Sequence, residues 1–244
     1  MSILPKQATP PSSRMADYVW HFYGEPGVGK TTLANQFPSP IFIATEPGTS
    51  AMHAASVDVS TWQDMKLVLD ALRKEKHSYK TVVLDTVDVA YTLCTTHVCE
   101  SNGWVDVADG DFGRGWRAVD REWTNMIAQL RSLPMCAIFI GHEKREEIVE
   151  RMGSRDVATG RQRVSTALPR SARSTLHAAM DFILRCELTD DNERLLRTQP
   201  VEGKRERIEA KARGHKGAML PDTLPMSFKE LHTAFKANFD KETK

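Results

Sequence analysis

A glycine-rich stretch near the beginning of the chain has the residue types and spacing of a phosphate-binding loop. Residues 24–31 read Gly-Glu-Pro-Gly-Val-Gly-Lys-Thr, which fits the pattern G-x-x-x-x-G-K-[ST] at every fixed position. The glycines let backbone N–H groups turn inward around a polyphosphate, and Lys30 brings a full positive charge to its β- and γ-phosphates. We therefore predict an ATP site whose binding residues are Gly24, Glu25, Pro26, Gly27, Val28, Gly29, Lys30, Thr31 and Thr32.

Two oxygen-bearing side chains are predicted to hold Mg²⁺ in that site. The Thr31 hydroxyl follows the loop lysine directly, at the position that ligates the metal of a bound nucleotide. Asp85 ends the apolar run 79–85, and a carboxylate at the end of such a strand holds Mg²⁺, usually through a water. Apolar runs that end in Asp are common, so this assignment of Asp85 depends on the phosphate loop.

Glu46 is the candidate general base. It follows the strand-like run 40–45, and ligands bind beyond the carboxyl ends of the strands in open α/β sheets. A carboxylate in that place can orient and deprotonate the attacking water. Asp85 is followed by Thr86 rather than by a glutamate, which leaves the base position on that strand empty and favours Glu46. An ordinary acidic loop residue is the alternative.

His142 is the candidate sensor of the γ-phosphate. It follows the fully apolar run 135–141, which predicts another buried strand. A polar side chain at that strand end can touch the γ-phosphate or the attacking water and report hydrolysis to the next segment. The alternative is a structural histidine at a strand end. Together with Glu46 and Lys30, His142 completes the catalytic group predicted within one chain.

The elements that position these residues follow from local patterns. Aromatic and β-branched residues at 18–23 predict a strand before the loop, and 32–37 predicts the first turns of a helix after it. Such a helix aims the partial positive charge of its N-terminus at the phosphates. Further helical segments are predicted at 61–75, 87–103 (with loop), 117–132 and 227–239.

Composition sets broad limits. The 244 residues suit one α/β domain with elaborations, and 41% hydrophobic residues suffice for a sizeable core. The 33 basic and 32 acidic residues give a formal charge of +1, so a nucleic-acid surface must come from local clustering. Neither a signal peptide nor an apolar run of about 18 residues is visible, which predicts a cytoplasmic protein that does not associate with a membrane. Cys136 and Cys186 lie in apolar runs and are predicted buried thiols, and Cys94 and Cys99 lack further metal ligands.

Three segments are predicted along the chain. Residues 1–16 are rich in Pro and Ser and are expected to form a flexible arm, either disordered or docked on a neighbouring subunit. Residues 17–217 form the ATPase core. Residues 218–244 form a helical tail.

Two segments are candidate DNA contacts. The stretch 103–116 is rich in Gly, Asp and aromatic residues and predicts an exposed loop, although a loop pinned by aromatic burial is an alternative. From 144 to 175 the chain is polar, and between residues 151 and 175 six arginines and one aspartate give a local charge of +5. This predicts a mobile basic loop, with a solvated basic face as the alternative. The DNA-binding candidates are Arg114, Trp116, Arg117, Arg155, Arg161, Arg163 and Arg170.

The C-terminal part predicts antiparallel strands. The runs 180–188 and 194–199 flank a turn at 190–192, and a third strand is plausible at 204–213. Lys211 and Arg213 are two residues apart and share a face on a strand. Such a pair could reach the γ-phosphate held by a neighbouring subunit, as an arginine finger does, or could be a basic strand edge that discourages aggregation.

The phosphate loop and the strand ends at Glu46, Asp85 and His142 resemble the RecA-like branch of phosphate-loop ATPases. More narrowly, residues 17–217 resemble small phage-encoded RecA-like proteins grouped with single-strand annealing proteins, the Sak group. Thr45-Glu46-Pro-Gly, Gly113-Arg-Gly-Trp116 and Gly141-His-Glu143 carry this narrower likeness. The likeness departs from RecA at His142, where RecA has a glutamine-type sensor, and this chain is much shorter than RecA.

The resemblance implies a RecA-like core with a mainly parallel sheet, helices on both faces and a C-terminal antiparallel extension. It implies an ATP- and Mg²⁺-dependent, DNA-stimulated ATPase that binds single-stranded DNA and assists annealing in phage recombination. It further implies head-to-tail subunits with ATP between them, Lys211 and Arg213 acting in trans, and the cytoplasm of a phage host. A phage single-strand-binding protein would be a further partner.

Two other functions remain open from the sequence. The first is a replication accessory or helicase-loading ATPase that acts on a protein ring. The second is a nucleotide kinase, in which the basic stretch 151–173 would serve as a lid. A kinase would release ADP in the presence of an acceptor nucleoside, whereas the recombination function predicts more hydrolysis when single-stranded DNA is added.

Overall fold

A computed structural model describes residues 12–48, 52–153, 155–212 and 220–240. The strands in these ranges, in chain order, are β1 (Val19–Gly24), β2 (Pro40–Ala44), β3 (Ala55–Asp58), β4 (Thr81–Asp85), β5 (Cys136–Met152), β6 (Arg155–Thr166), β7 (Phe182–Leu188), β8 (Arg194–Arg197), β9 (Val201–Glu202), β10 (Glu206–Ile208), β11 (Lys211–Ala212) and β12 (Thr223–Pro225). The helices are α1 (Lys30–Ala34), α2 (Trp62–Lys74), α3 (Val87–Asn102), α4 (Arg114–Arg131), α5 (Arg170–Ala179) and α6 (Phe228–Asp240).

The core of the molecule is a parallel sheet in the order β7-β1-β5-β4-β2-β3. Side chains alternate between its two faces, as the strand period of two requires. On β1, Val19 and Tyr23 pack on one face and Trp20 and Phe22 on the other. The first face is covered by α2, α3, α4 and α5, and the second by α1 and α6. The predicted fold class is therefore confirmed.

The predicted antiparallel extension forms on the β7 side of the sheet. β7 and β8 pair antiparallel around residues 189–193, β11 pairs with β7, and β12 pairs with β8. The third strand predicted at 204–213 is split into β10, which pairs with β6 and β9, and β11. Residues 213–219 lie outside the described part of the chain.

The segment ends differ in detail from the predicted segments. At the start, residues 1–11 lie outside the described ranges, but Met15 is 7% exposed and its carbonyl accepts a hydrogen bond of 3.0 Å from the Trp20 indole. At the end, β12 and α6 belong to the packed body, because Leu231 and Phe235 enter the second core cluster. The segment predicted as a helical tail thus also contributes a strand to the sheet.

The prediction of a mobile basic loop at 144–175 is wrong, because this stretch forms regular strands and a helix. It forms the outer half of β5, all of β6 and the first half of α5. β5 and β6 make a long antiparallel hairpin that turns at Gly153, where φ is +66°. Most side chains of its outer part are exposed, so the apolar alternation that reveals a half-buried strand is missing there.

The predicted exposed loop at 103–116 ends earlier than expected. Short 3-10 turns occupy Val107–Asp109 and Asp111–Gly113, and α4 begins at Arg114 after Gly113, whose φ is +71°. Arg114, Trp116 and Arg117 therefore lie in the first turn of a helix. The glycines on either side of Arg114 hid this helix start from sequence reasoning.

Two further observations bear on the predictions about cysteines and membranes. Cys94, Cys99, Cys136 and Cys186 are all buried free thiols, as predicted for the last two. Among the described residues, no helix combines the length and the apolar character that crossing a bilayer would need.

Candidate functional site

The phosphate loop connects β1 to α1 in a conformation that depends on glycine. Gly27 and Gly29 have φ of +77° and +105°, a region that L side chains rarely adopt. A Cβ at Gly24 would lie 2.2 Å from the carbonyl oxygen of Cys186 on β7, so the loop can leave β1 at this point only without a side chain.

Lys30 begins α1 and folds back over the loop. Its Nζ donates hydrogen bonds of 2.9 Å to the carbonyl oxygens of both Gly24 and Glu25. Burial lowers the pKa of this ammonium, and nearby Asp85 partly opposes that shift. A phosphate oxygen would compete with these carbonyls for an ammonium that is already in place.

Thr31 and Asp85 meet at the ends of α1 and β4. The Thr31 hydroxyl donates a 2.8 Å hydrogen bond to Oδ2 of Asp85. Burial raises the pKa of the Asp85 carboxyl, while the Thr31 hydroxyl and Lys30 lower it. A hydroxyl and a buried carboxylate in contact supply the hard oxygen ligands that Mg²⁺ prefers. These residues therefore fit the predicted metal.

Glu46 lies beyond β2, beside the end of β4. The Thr86 hydroxyl donates a 2.7 Å hydrogen bond to its Oε1, and the Thr86 N–H donates one of 2.8 Å to the Thr45 hydroxyl. These bonds tie the predicted base to the residue that follows Asp85. The structure thus brings Glu46 to the same edge of the sheet as the loop.

His142 lies within β5 and not at the strand end that the sequence predicted, because β5 continues to Met152 as one arm of the hairpin with β6. It pairs in register with Gly24, the last residue of β1, and Asp88 of α3 holds it. The His142 ring Nδ1 is 2.8 Å from Asp88 Oδ2, and the His142 N–H donates a 3.1 Å bond to Asp88 Oδ1. Glu46 Oε1 lies 3.7 Å from the same ring nitrogen. The Asp88 hydrogen bond and both carboxylates raise the pKa of His142, so the ring is favoured as imidazolium.

Asp88 was missed by sequence reasoning. The sequence shows a second aspartate three residues after Asp85. No local pattern, however, predicts that the first turn of α3 faces β5. Burial alone would raise the Asp88 pKa, and the hydrogen bonds from His142 lower it overall. The polar atoms of Glu46, Asp88 and His142 lie within 4.8 Å of one another, and this group could hold a cation only if the His142–Asp88 bond opened.

These side chains line a cleft of about 440 Å³, here called the phosphate cleft. That volume lies in the range of small-ligand sites. Its lining comprises Pro26, Gly27, Gly29, Lys30, Thr31, Thr32, Glu46, Gly48, Met52, Asp85, Thr86 and His142. Of the other predicted loop residues, Glu25 and Val28 line a neighbouring cavity on the β7 side. One cleft therefore contains all five side chains predicted for phosphate binding, metal binding and catalysis within one chain: Lys30, Thr31, Glu46, Asp85 and His142.

Replacing Asp88 by asparagine is expected to lower the pKa of His142 toward its ordinary value of 6.5. The folded-state pKa is raised, so the stability that protonated His142 contributes is complete below about 6.5 and is lost as pH rises through the raised value. An NMR titration of the His142 ring measures the shift. Asp70→Asn, on the exposed face of α2, is the matched control. An unchanged His142 titration in Asp88→Asn would show that Asp88 does not set its charge.

Lys211 does not reach the phosphate cleft of its own chain. It pairs with Ile183 on β7, three residues before Cys186, which is level with Gly24. Its ammonium donates hydrogen bonds of 3.2 and 2.5 Å to the carbonyls of His177 and Met180 at the end of α5. Its predicted partner Arg213 lies outside the described residues. A role of this pair in a neighbouring subunit stays a prediction.

Two of the four DNA-binding candidates in the predicted basic loop are paired with glutamates from later in the chain. Arg161 lies 3.2 Å from Glu202, and Arg163 lies 3.7 Å from Glu209. Arg155 stands beside the hairpin turn and Arg170 begins α5. The local charge of +5 deduced from sequence is therefore reduced in the structure, because residues distant in sequence supply counter-charges to Arg161 and Arg163.

The first predicted DNA segment is more exposed. Trp116 is 49% and Phe112 is 94% exposed, large fractions for aromatic side chains. Arg117 donates a 3.2 Å hydrogen bond to the Phe112 carbonyl, and Arg114 lies exposed at the start of α4. Trp116 also borders a groove of about 300 Å³ whose lining includes Asp88.

Comparison with known proteins places the chain in a family. Over 126 residues it is 29% identical to the SPbeta prophage-derived uncharacterized protein YorG of Bacillus subtilis (strain 168), and this match covers 49% of the chain and 39% of that relative. The chain thus spans well under two thirds of the relative's length. Residues 16–213, which contain every residue of the phosphate cleft, match the model of the AAA domain. The chain therefore belongs to the AAA domain family, a family of nucleotide-binding ATPases.

Proposed function

We propose that this protein is a Mg²⁺-dependent ATPase that binds single-stranded DNA and assists phage recombination by single-strand annealing. The observation that carries the ATPase part is the phosphate cleft, where Lys30, the Thr31–Asp85 pair and Glu46 meet. The DNA part rests on the exposed aromatic and basic residues at the start of α4.

The predicted catalytic and metal-binding residues of the phosphate cleft have separate tasks in hydrolysis. The loop N–H groups and Lys30 bind the β- and γ-phosphates. Thr31 and Asp85 would hold Mg²⁺, which neutralises phosphate charge when bound. Glu46, oriented by the Thr86 hydroxyl, takes the proton of the attacking water. His142, whose pKa is raised by Asp88, donates toward the negative charge on the transferred phosphoryl group.

Three observations support single-stranded DNA as the partner. Trp116 and Phe112 present aromatic surface with Arg114 nearby, which suits base stacking and phosphate binding. The Trp116 groove includes Asp88, the residue that holds His142. A base in this groove would therefore lie against Asp88, which contacts the sensor of the ATP site. The prophage origin of the similar protein YorG agrees with a phage process.

The proposal extends to the arrangement of subunits and to the partners of the protein. Head-to-tail subunits with ATP between them, with Lys211 and Arg213 acting in trans, would form a ring or filament on the DNA in the host cytoplasm. A phage single-strand-binding protein would hand over the strand. The kinase alternative loses support, because the stretch 151–173 that would form a lid is built largely into β6 and α5. Action on a protein ring is the outcome to expect if DNA has no effect.

The test is ATP hydrolysis with and without single-stranded DNA, measured on the wild type and Trp116→Ala. We expect DNA to stimulate the wild type, and Trp116→Ala to weaken DNA binding by about 5- to 150-fold, since stacking contributes about 1–3 kcal/mol per base. Leu67→Ala removes an apolar side chain of α2 that is 59% exposed and serves as control. Hydrolysis that is indifferent to DNA would refute the DNA part and leave the ATPase part standing.

A further inference from the structure

A second cavity, larger than the phosphate cleft, lies between α5 and the strands β10 and β11. Its volume is about 700 Å³, which lies in the upper half of the range for small-ligand sites. It shares no lining residue with the phosphate cleft. We call it the cationic cavity. Its charged lining consists of Arg163, Arg170, Arg173, Arg207, Lys211, Glu202 and Glu209.

The balance of charge in the cationic cavity is positive. Five cationic side chains face two carboxylates. His177 also lines the cavity, and its pKa is lowered to about 3 by burial and by the positive charges of Arg173 and Lys211, so it adds no charge at neutral pH. A concave site with one dominant sign of charge and low-dielectric walls concentrates ions of the opposite sign.

Hydrogen bonds to the surrounding protein hold two of the cationic side chains in position. Arg173 is only 5% exposed and donates a 2.8 Å hydrogen bond to the Ser165 hydroxyl. Lys211 is anchored by the carbonyls at the end of α5. On α5, residues 170, 173, 174, 177 and 178 line the cavity, which is the spacing of one helix face over about two turns. Arg173 and Lys211 are therefore held in position before any ligand arrives.

One carboxylate occupies the place where an anion would bind. Glu209 lies 3.7 Å from Arg163, 3.6 Å from Arg173 and 3.5 Å from the His177 ring. The Nε of Arg163 is buried without a hydrogen-bond partner in the described residues. Arg170 makes no ion pair within the described part of the chain, and Arg207 is paired at the rim with Glu202. Glu209 thus bridges Arg163, which keeps an unused Nε donor, and Arg173, which also lies 3.4 Å from Glu146.

We infer that the cationic cavity is a second binding site, for a phosphate-bearing anion. Guanidinium groups match the geometry of phosphate oxygens, and several of them converge here with an excess of positive charge. The phosphate belongs either to a nucleic-acid backbone or to a free nucleotide. This site goes beyond the proposed hydrolysis, because none of its residues lines the phosphate cleft of the same chain.

The test uses the full chain carrying Lys30→Ala, which removes nucleotide binding at the phosphate cleft. Fluorescent oligo(dT) and fluorescent ADP are titrated separately, so that the responding probe identifies the source of the phosphate. Arg170→Ala with Arg207→Ala removes two rim cations. We expect that pair to weaken binding about 10-fold or more and, for the oligonucleotide, to reduce the salt slope by about 1 to 2. The control is Arg73→Ala with Arg131→Ala, two exposed arginines of α2 and α4.

A second variant tests the opposite direction. Glu209→Gln removes the internal anion without removing volume, so we expect tighter binding of the same probe and a larger rise in Tm when that probe is added. A purely structural role for the arginines predicts a less stable protein with no gain in affinity. Equal binding by the rim variant and its control, or no binding of either probe by any variant, would overturn the second site. DNA-stimulated hydrolysis by the protein with an intact Lys30 is measured separately, so the two proposals fail independently.

Discussion

Replacement of Lys30 by alanine is expected to abolish ATP binding and to reduce hydrolysis about 1,000-fold or more. The side chain is 6% exposed and its ammonium is held over the loop by the Gly24 and Glu25 carbonyls. The charge is already in place when the phosphates arrive, and contributions of that kind are among the largest in catalysis. Binding of a fluorescent ATP analogue and the release of phosphate measure the two effects.

The same replacement should cost little stability. Two hydrogen bonds to backbone carbonyls are lost, which amounts to about 1–3 kcal/mol, and the burial that lowers the pKa of Lys30 shows that its charge is itself unfavourable there. Lys74→Ala, at an exposed position of α2 paired with Asp70, is the matched control. If Lys30→Ala still hydrolyses ATP at the wild-type rate, the phosphate loop is not part of the mechanism.

Replacement of Glu46 by glutamine should separate binding from hydrolysis. We expect the affinity for ATP to stay within a few-fold of wild type, because the phosphate contacts belong to other residues. The turnover number should fall about 100- to 10,000-fold, the usual effect of removing a general base. Glutamine keeps an oxygen that can accept the Thr86 hydroxyl bond, so the geometry of the cleft is preserved. Single-turnover kinetics with saturating protein measure the chemical step directly.

The control for Glu46→Gln is Glu25→Gln, a loop carboxylate whose side chain is 69% exposed. Its turnover should stay close to the wild-type value. A normal turnover number in Glu46→Gln would remove Glu46 as the base. Asp88 would then be the next carboxylate to test, because it lies in the same group of side chains within 4.8 Å.

Predictions from local sequence were accurate for elements whose conformation is set by residues close together in the chain. The strand before the loop was predicted at 18–23 and lies at Val19–Gly24. The helix predicted at 61–75 is Trp62–Lys74, and its N-cap residue Thr61 forms a capping box with Asp64. Caps, glycine turns and apolar spacing act over a few residues, so the sequence shows them directly.

Predictions about charge and mobility failed where the partner is distant in sequence. Arg161 and Arg163 looked unpaired, yet their counter-charges come from Glu202 and Glu209, about 40 residues later. The hairpin of β5 and β6 is held by cross-strand pairing and lacks a buried face along its outer part. Neither feature leaves a local pattern, because both depend on which strands become neighbours.

The sequence by itself determined the phosphate loop, its flanking strand and helix, and the two acidic residues Glu46 and Asp85 at strand ends, whereas His142 lies within the longer strand β5. These follow from spacing and from the rule that parallel strands end at one edge. Only the tertiary structure decided that Asp88 holds His142, that Lys211 is used within its own chain, and that arginines of α5 converge on a cavity with β10. Those contacts depend on the order and register of strands, which are set by packing of the whole core.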